Sequence, residues 1–285
     1  MTFRLDHWLQ DRLLRGLIWG LLRLPYKARL AVSGWVSARL IGPIAGYNAR
    51  SRDNLARVWP DMPTAERNRL ARAVSDNVGR SFIELYSKTE FLEAARALPP
   101  QGAGLAALAE AAKQNRPVLL ITGHFGNYEA SREALTALGY QIGGLYRPMK
   151  NQHFNGHYVA AMGRFGTPLF PRGREGLADM IRFLKSGGML GMVIDQHMNS
   201  GEILDFLGLP ARTALSAAEL ALKYNALLIP AYAIRQPDGV TFQTLVEAPI
   251  PHTDARQMTQ ALNDSLAAQV RAHPEQWFWI HRRWK

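Results

Sequence analysis

The 285-residue chain contains no cysteine. That excludes structural disulfides, cysteine-ligated zinc and a thiolate nucleophile, so any nucleophile has to be another group. Low-complexity blocks and self-similar periods are also missing, although 16 prolines and 24 glycines are spread along the chain. No Gly-x-Ser-x-Gly and no His-Glu-x-x-His occurs, which disfavours an α/β serine hydrolase and a zinc protease. His197 near Asp195 offers no recognisable second metal site. A long uncharged apolar run is lacking as well. Leu13 to Leu24 is cut by Arg15 and Arg23, and Leu30 to Ala49 by Arg39, Pro43 and three glycines, whereas a spanning helix needs about 20 apolar residues. Nor does a short apolar stretch with a small-residue cleavage site follow the first bases, as a signal peptide would require.

What is present is an apolar fraction of 47%, ample for a core, and a formal net charge of +11. The charge calls for an anionic partner: nucleic acid, an acidic carrier protein or an anionic lipid surface. Its distribution narrows the choice. Arg4, Arg12, Arg15, Arg23, Lys27, Arg29, Arg39 and Arg50 face only Asp6 and Asp11, among Trp8, Leu13, Leu14, Leu17, Ile18, Trp19, Leu21, Leu22 and Leu24. Such a basic, aromatic-apolar mixture suits the headgroup region of a membrane, each base adding about 1 kcal/mol on anionic lipid. An amphipathic helix packed on the domain explains it equally. Residues 1–62 are read as this N-terminal region and 63–285 as the main domain.

From Thr64 to Leu98 the pattern is helical, bounded by Pro63 and by Pro99-Pro100. Pro117 to Thr122 then reads as a strand buried on both faces and Glu129 to Leu138 as a helix stopped by Gly139. The alternation continues with strands at Gln141–Tyr146, Pro168–Phe170, Met189–Ile194 and Leu227–Ile234, and helices around Asn155–Arg164, Glu175–Lys185 and Ser216–Tyr224. Val240–Ala248 reads as an antiparallel return after the Pro237-Asp238-Gly239 turn, and Asp254–Ala272 as a final amphipathic helix. The rhythm predicts an α/β fold with a mixed central sheet flanked by helices.

The segment Gly123-His124-Phe125-Gly126-Asn127-Tyr128-Glu129 places a histidine just past a buried strand, where active sites of open α/β sheets lie. With a helix starting near Asn127, Glu129 falls in its first turn and can fold back to hold the imidazole tautomer. His124 could then deprotonate a hydroxyl attacking a thioester, a role worth roughly 100- to 10,000-fold. Gly123 and Gly126 allow close backbone approach, and free amides at the helix start could receive the oxyanion. A His-x4-Glu spacing by itself also fits a structural loop histidine.

Several further segments accompany it: Tyr146-Arg147-Pro148-Met149-Lys150-Asn151, Asp195-Gln196, Phe206-Leu207-Gly208 with Pro210-Ala211, and Gln276-Trp277-Phe278-Trp279-Ile280-His281-Arg282-Arg283-Trp284. With these the chain resembles, over nearly its whole length, the bacterial lipid A biosynthesis (late, secondary) acyltransferases of the lysophospholipid acyltransferase-like superfamily. The resemblance implies a glycerolipid acyltransferase-like fold and an acyl-carrier-protein thioester as co-substrate. It further implies a lipid A precursor as acceptor, no cofactor or metal, and the cytoplasmic face of the bacterial inner membrane, peripherally or by one N-terminal anchor. His124 is then the base and Glu129 its orienter. Arg164, Asp195, Arg147, Asn127 and Gly126 are the substrate-binding or assisting candidates. Phe170-Pro171-Arg172-Gly173-Arg174 partly echoes the Phe-Pro-Glu-Gly-Thr-Arg motif of glycerophosphate acyltransferases, but Arg172 replaces the glutamate and the role does not transfer.

Arg147, Lys150, Arg172 and Arg174 can meet phosphate or the acidic carrier, or remain solvated charges. Trp277, Trp279 and Trp284 with Arg282 and Arg283 suit either a membrane interface or the core. Three readings compete with lipid A acylation. One is acylation of another glycolipid or aminolipid, including from coenzyme A; another is a catalytically inactive lipid-binding protein. The third, nucleic-acid binding, finds no supporting motif.

Overall fold

A computed structural model describes residues 4–285. The chain opens with α1 (Leu5–Leu21), α2 (Tyr26–Val36), a π-helical turn (Ser37–Ile41), α3 (Gly42–Ile44) and α4 (Tyr47–Val58). Helices α5 (Thr64–Glu84), α6 (Lys88–Arg96) and α7 (Gly104–Lys113) follow. The alternating part comprises β1 (Val118–Thr122), α8 (Tyr128–Thr136), β2 (Ile142–Tyr146), α9 (Gln152–Met162), β3 (Leu169–Pro171), α10 (Arg174–Lys185) and β4 (Met189–Val193). A hairpin of β5 (Glu202–Phe206) and β6 (Leu209–Thr213) leads to α11 (Ser216–Tyr224), β7 (Leu227–Arg235), β8 (Phe242–Val246) and α12 (Ala255–Ala272).

Six strands form one sheet in the order β3-β2-β4-β1-β7-β8, parallel except for β8, which returns antiparallel to β7. This is the mixed α/β sheet read from the sequence. Every residue of β1 is buried, as in a strand covered by helices on both faces, and its first four side chains are apolar. Three helix starts are fixed by side chains: Asn127 accepts the Glu129 amide, Asn151 those of His153 and Phe154, and Asp254 that of Gln257.

One expectation is corrected, one element is added and one open alternative is decided. The helical stretch from Thr64 to Leu98 is two helices, α5 and α6. The Ser87 hydroxyl donates to the Ile83 carbonyl and Lys88 takes a φ of +39°, which ends one helix and redirects the chain. The β5–β6 hairpin is new, its turn formed by Leu207 and Gly208 with φ of +59° and +86°. At the C-terminal segment the core alternative holds: Trp277, Trp279 and Trp284 are buried, and with Phe125, Phe206 and Tyr232 they belong to a core between α4, α5 and α12. Arg283 is fully buried over the Phe206 ring, donating to the Arg212 carbonyl and Thr213.

At the N-terminus α2 lies along α5, and α1 packs against α9, where Arg15 joins the buried Asp11 to the His153 carbonyl. Much of the apolar surface of these helices is left uncovered: Leu5, Leu9, Leu13, Trp19, Trp35 and Ile44 are all exposed. Among the described residues, no helix is long and apolar enough to cross a membrane.

Candidate active site

Strands β1 and β4 are paired in parallel register through Thr122 and Val193. Two residues beyond each of those ends stand His124 and Asp195, so the sheet itself brings them together. His124 Nδ1 lies 2.7 Å from Asp195 Oδ1. The other carboxylate oxygen accepts the His124 amide at 2.7 Å and the Trp277 indole N–H at 2.9 Å. Burial alone would pull the imidazole pKa down, but the charge and hydrogen bond of Asp195 outweigh it and the net shift is upward. Burial likewise opposes ionisation of Asp195, yet His124 holds that carboxyl well below its ordinary value.

The turn carrying His124 is clamped from three sides. Phe125 bridges to Trp277, the Phe278 amide donates to the His124 carbonyl, and the Gly126 amide to the Gln276 carbonyl. From α5, Asn77 and Ser81 donate to the Gly126 carbonyl. Gly126 has φ +55°, and a Cβ there would stand 1.8 Å from the Ala233 carbonyl oxygen, so glycine is required twice over. Behind the turn, Arg235 and Glu84 form a buried ion pair; Glu84 also accepts from Asn127, and Arg235 donates to Asn77.

Two cavities meet at His124. The larger, about 500 Å³, runs over the sheet past Leu120, Leu135, Ile142 and Leu169 and carries Arg147 and Arg172. The smaller, about 230 Å³, lies between α5, α9 and the Trp277-Phe278 segment. Both are bounded by His124, Tyr128, Glu129, Tyr158 and Met162. The imidazole of His124 can therefore touch a group held in either cavity.

A search with family models matches the bacterial lipid A biosynthesis acyltransferases over residues 4–285. The chain belongs to that family. This acyltransferase is 26% identical to the lipid A biosynthesis lauroyltransferase of Escherichia coli (strain K12), over 95% of its own length and 89% of the relative's. It is 22% identical to the palmitoleoyltransferase of the same organism, over 95% and 89% of the two chains. It is also similar to the phosphatidylinositol mannoside acyltransferase of Mycobacterium tuberculosis (strain CDC 1551 / Oshkosh), 23% identical over 92% and 93%.

Not every candidate residue of the acyltransferase stands where the sequence suggested. Asp195, expected only to assist, is the carboxylate on the imidazole. Glu129 does not orient His124 here: its Oε2 lies 3.2 Å from Arg132 Nη1 and accepts no hydrogen bond. Burial raises the Glu129 pKa against the pull of Arg132. The physical reason is the helix start. Asn127 caps α8 through the Glu129 amide, and on that helix Arg132 is the neighbour three residues on. Asn127 and Gly126 therefore shape the turn, and Arg147 lines the larger cavity. Arg164 is exposed in a 3-10 turn (Gly163–Phe165) and lines neither cavity; Arg132 stands beside Glu129 instead.

The expected oxyanion donors are reduced too, since the amides of Phe125, Glu129 and Ala130 are donated within the turn, that of His124 to Asp195 and that of Gly126 to Gln276. His281, to which sequence reasoning gave no role, stacks edge-on against His124 at 4.7 Å between ring centres. Burial pushes its pKa down to about 4. His124, Asp195 and His281 bring ligand-type atoms within 4.8 Å of one another, but a cation there would have to displace the His124–Asp195 hydrogen bond.

Proposed function

We propose that this acyltransferase moves a fatty acyl chain from an acyl-carrier-protein thioester to a hydroxyl borne by an acyl chain of a lipid A precursor, the secondary acylation of lipopolysaccharide biosynthesis. The observation that carries the reading is the His124–Asp195 pair at the junction of two cavities. With Nδ1 engaged by Asp195, the other ring nitrogen is left to act as base. It takes the proton of the acceptor hydroxyl as that oxygen attacks the thioester carbonyl. The new C–O bond forms, the C–S bond breaks, and the imidazolium returns the proton to the departing thiolate. Asp195 keeps the tautomer and stabilises the imidazolium. Glu129, paired with Arg132, lies on the wall that the two cavities share and helps hold the acceptor beside His124. No metal or cofactor takes part in this scheme.

Attachment to the cytoplasmic face of the bacterial inner membrane is part of the same proposal. Exposed Leu5, Leu9, Leu13 and Trp19 beside Arg12 and Arg23 support an interfacial rather than a packed role for α1. The similarity to a phosphatidylinositol mannoside acyltransferase keeps a second acceptor class in view, another membrane glycolipid.

The test is transfer of labelled acyl groups from acyl-carrier-protein and from coenzyme A to lipid A precursor in mixed micelles. Wild type should use the carrier thioester, and His124→Ala should lose transfer while remaining folded. A folded His124→Ala enzyme with near-normal activity would refute the mechanism. Transfer only to a sugar hydroxyl would move the acceptor to the other class.

A further inference from the structure

The smaller cavity has no assigned occupant, and its wall differs from that of its neighbour. Val78 and Phe82 come from α5, Leu85 from the residue that caps it, Met162 from α9, and Trp277 and Phe278 from the C-terminal segment. No lysine or arginine lines it, whereas the larger cavity carries Arg132, Arg147 and Arg172. The two spaces therefore select different groups at one base. A basic rim suits a ligand that arrives with anionic charge, such as a phosphorylated carrier arm. Asn77, Ser81 and Gln276 also border it but are hydrogen-bonded within the fold, and with no cation to pair an anionic headgroup the space suits a hydrocarbon chain.

The place of the smaller cavity in the fold agrees. It lies between α5 and α9, the two helices on which α2 and α1 are packed, and those carry the exposed apolar residues. A chain rooted in lipid thus meets α5 and α9 before it meets His124.

We infer that the cavity of about 230 Å³ between α5 and α9 binds the hydroxyl-bearing acyl chain of the lipid acceptor, while the larger cavity takes the donor's acyl chain. The inference rests on the acyl-transfer reading above and adds the site of one substrate. Chain binding in this slot brings the acceptor hydroxyl to the wall formed by His124 and Glu129, which face both spaces.

The experiment fills each cavity in turn in the full-length enzyme. Val78→Phe narrows the smaller space and Leu145→Trp the larger. Acceptor KM is measured with a lipid carrying a 3-hydroxyacyl chain. Donor KM is followed both in transfer and in the slow hydrolysis of the carrier thioester to water, which needs no acceptor. Val78→Phe should raise acceptor KM at least about tenfold and leave donor KM within about twofold, and Leu145→Trp should do the reverse. Leu85→Ala, which enlarges the slot instead of filling it, should shift preference toward acceptors with longer chains; thermal unfolding verifies that each variant is folded. Should Val78→Phe raise donor KM and spare the acceptor, or should folded Val78→Phe and Leu85→Ala both behave as wild type, the assignment is wrong although acyl transfer stands. If wild type transfers to no lipid hydroxyl at all, the underlying reading fails and the assignment with it.

Discussion

Asp195 holds His124 twice, through the ring at 2.7 Å and through the backbone amide at 2.7 Å, one carboxylate oxygen for each. The side chain that sets the tautomer therefore also sets the position of the turn on which the base is mounted.

Replacing Asp195 by Asn leaves a partner of similar shape but removes the charge and favours the wrong tautomer. Transfer should fall by about 10⁴-fold, as in comparable His-carboxylate pairs. The pH profile should move as well. Under the proposed mechanism His124 acts as the free base, so with its pKa raised by Asp195 the wild-type activity should fall as pH drops through a value above that of an ordinary imidazole. Without the charge only burial remains, which lowers the pKa, so the acidic limb of kcat/KM should shift to lower pH in Asp195→Asn. A limb that stays in place would dissociate Asp195 from the base.

Trp277→Phe deletes the indole donor to Asp195 while keeping a ring in the core. A hydrogen bond to a charged buried group is worth about 1.5–3 kcal/mol, and urea unfolding should show a loss of that order. If stability is unchanged, the indole bond contributes nothing net.

The Glu84–Arg235 pair joins α5 to β7 beneath the active turn. Arg235→Met alone leaves a buried carboxylate unpaired and should cost about 3–5 kcal/mol. Adding Glu84→Gln should restore much of that stability, measured by a denaturant double-mutant cycle. Simple additivity would mean that the two charges do not depend on each other.

Membrane attachment can be read by co-sedimentation with vesicles containing anionic lipid. Arg23→Gln with Arg39→Gln should weaken binding about 30-fold, at about 1 kcal/mol per charge. Raising salt toward 1 M should erase the difference, because the Debye length shrinks to about 3 Å. Equal binding by the variant and wild type would assign the exposed apolar residues of α1 to another role.

The sheet was legible because its strands are short apolar runs closed by turn residues, and Asn127 and Asp254 advertise helix starts through their side-chain chemistry, whereas the cap at Asn151 went unread and that helix was expected only from about Asn155. His124 and Asp195 were legible as residues past strand ends. Their pairing was not, because it follows from β1 and β4 being adjacent, which no local pattern records. Glu129 attracted the orienting role for the opposite reason: it is near in sequence, while the true partner is 71 residues away. The hairpin at Leu207-Gly208 escaped because leucine rarely adopts its left-handed φ. The C-terminal tryptophans kept two meanings until their neighbours in the core were known.

The clamp of Trp277 and Phe278 on the His124 turn imposes an order in time. His124 leaves the ribosome about 150 residues before Trp277, roughly 8–30 s at about 5–20 residues per second. During that interval the catalytic turn lacks the bridge at Phe125, the donor to its carbonyl and the indole on Asp195. The basic N-terminal helices emerge first, so with the membrane attachment proposed above a nascent chain would meet lipid before its site is complete.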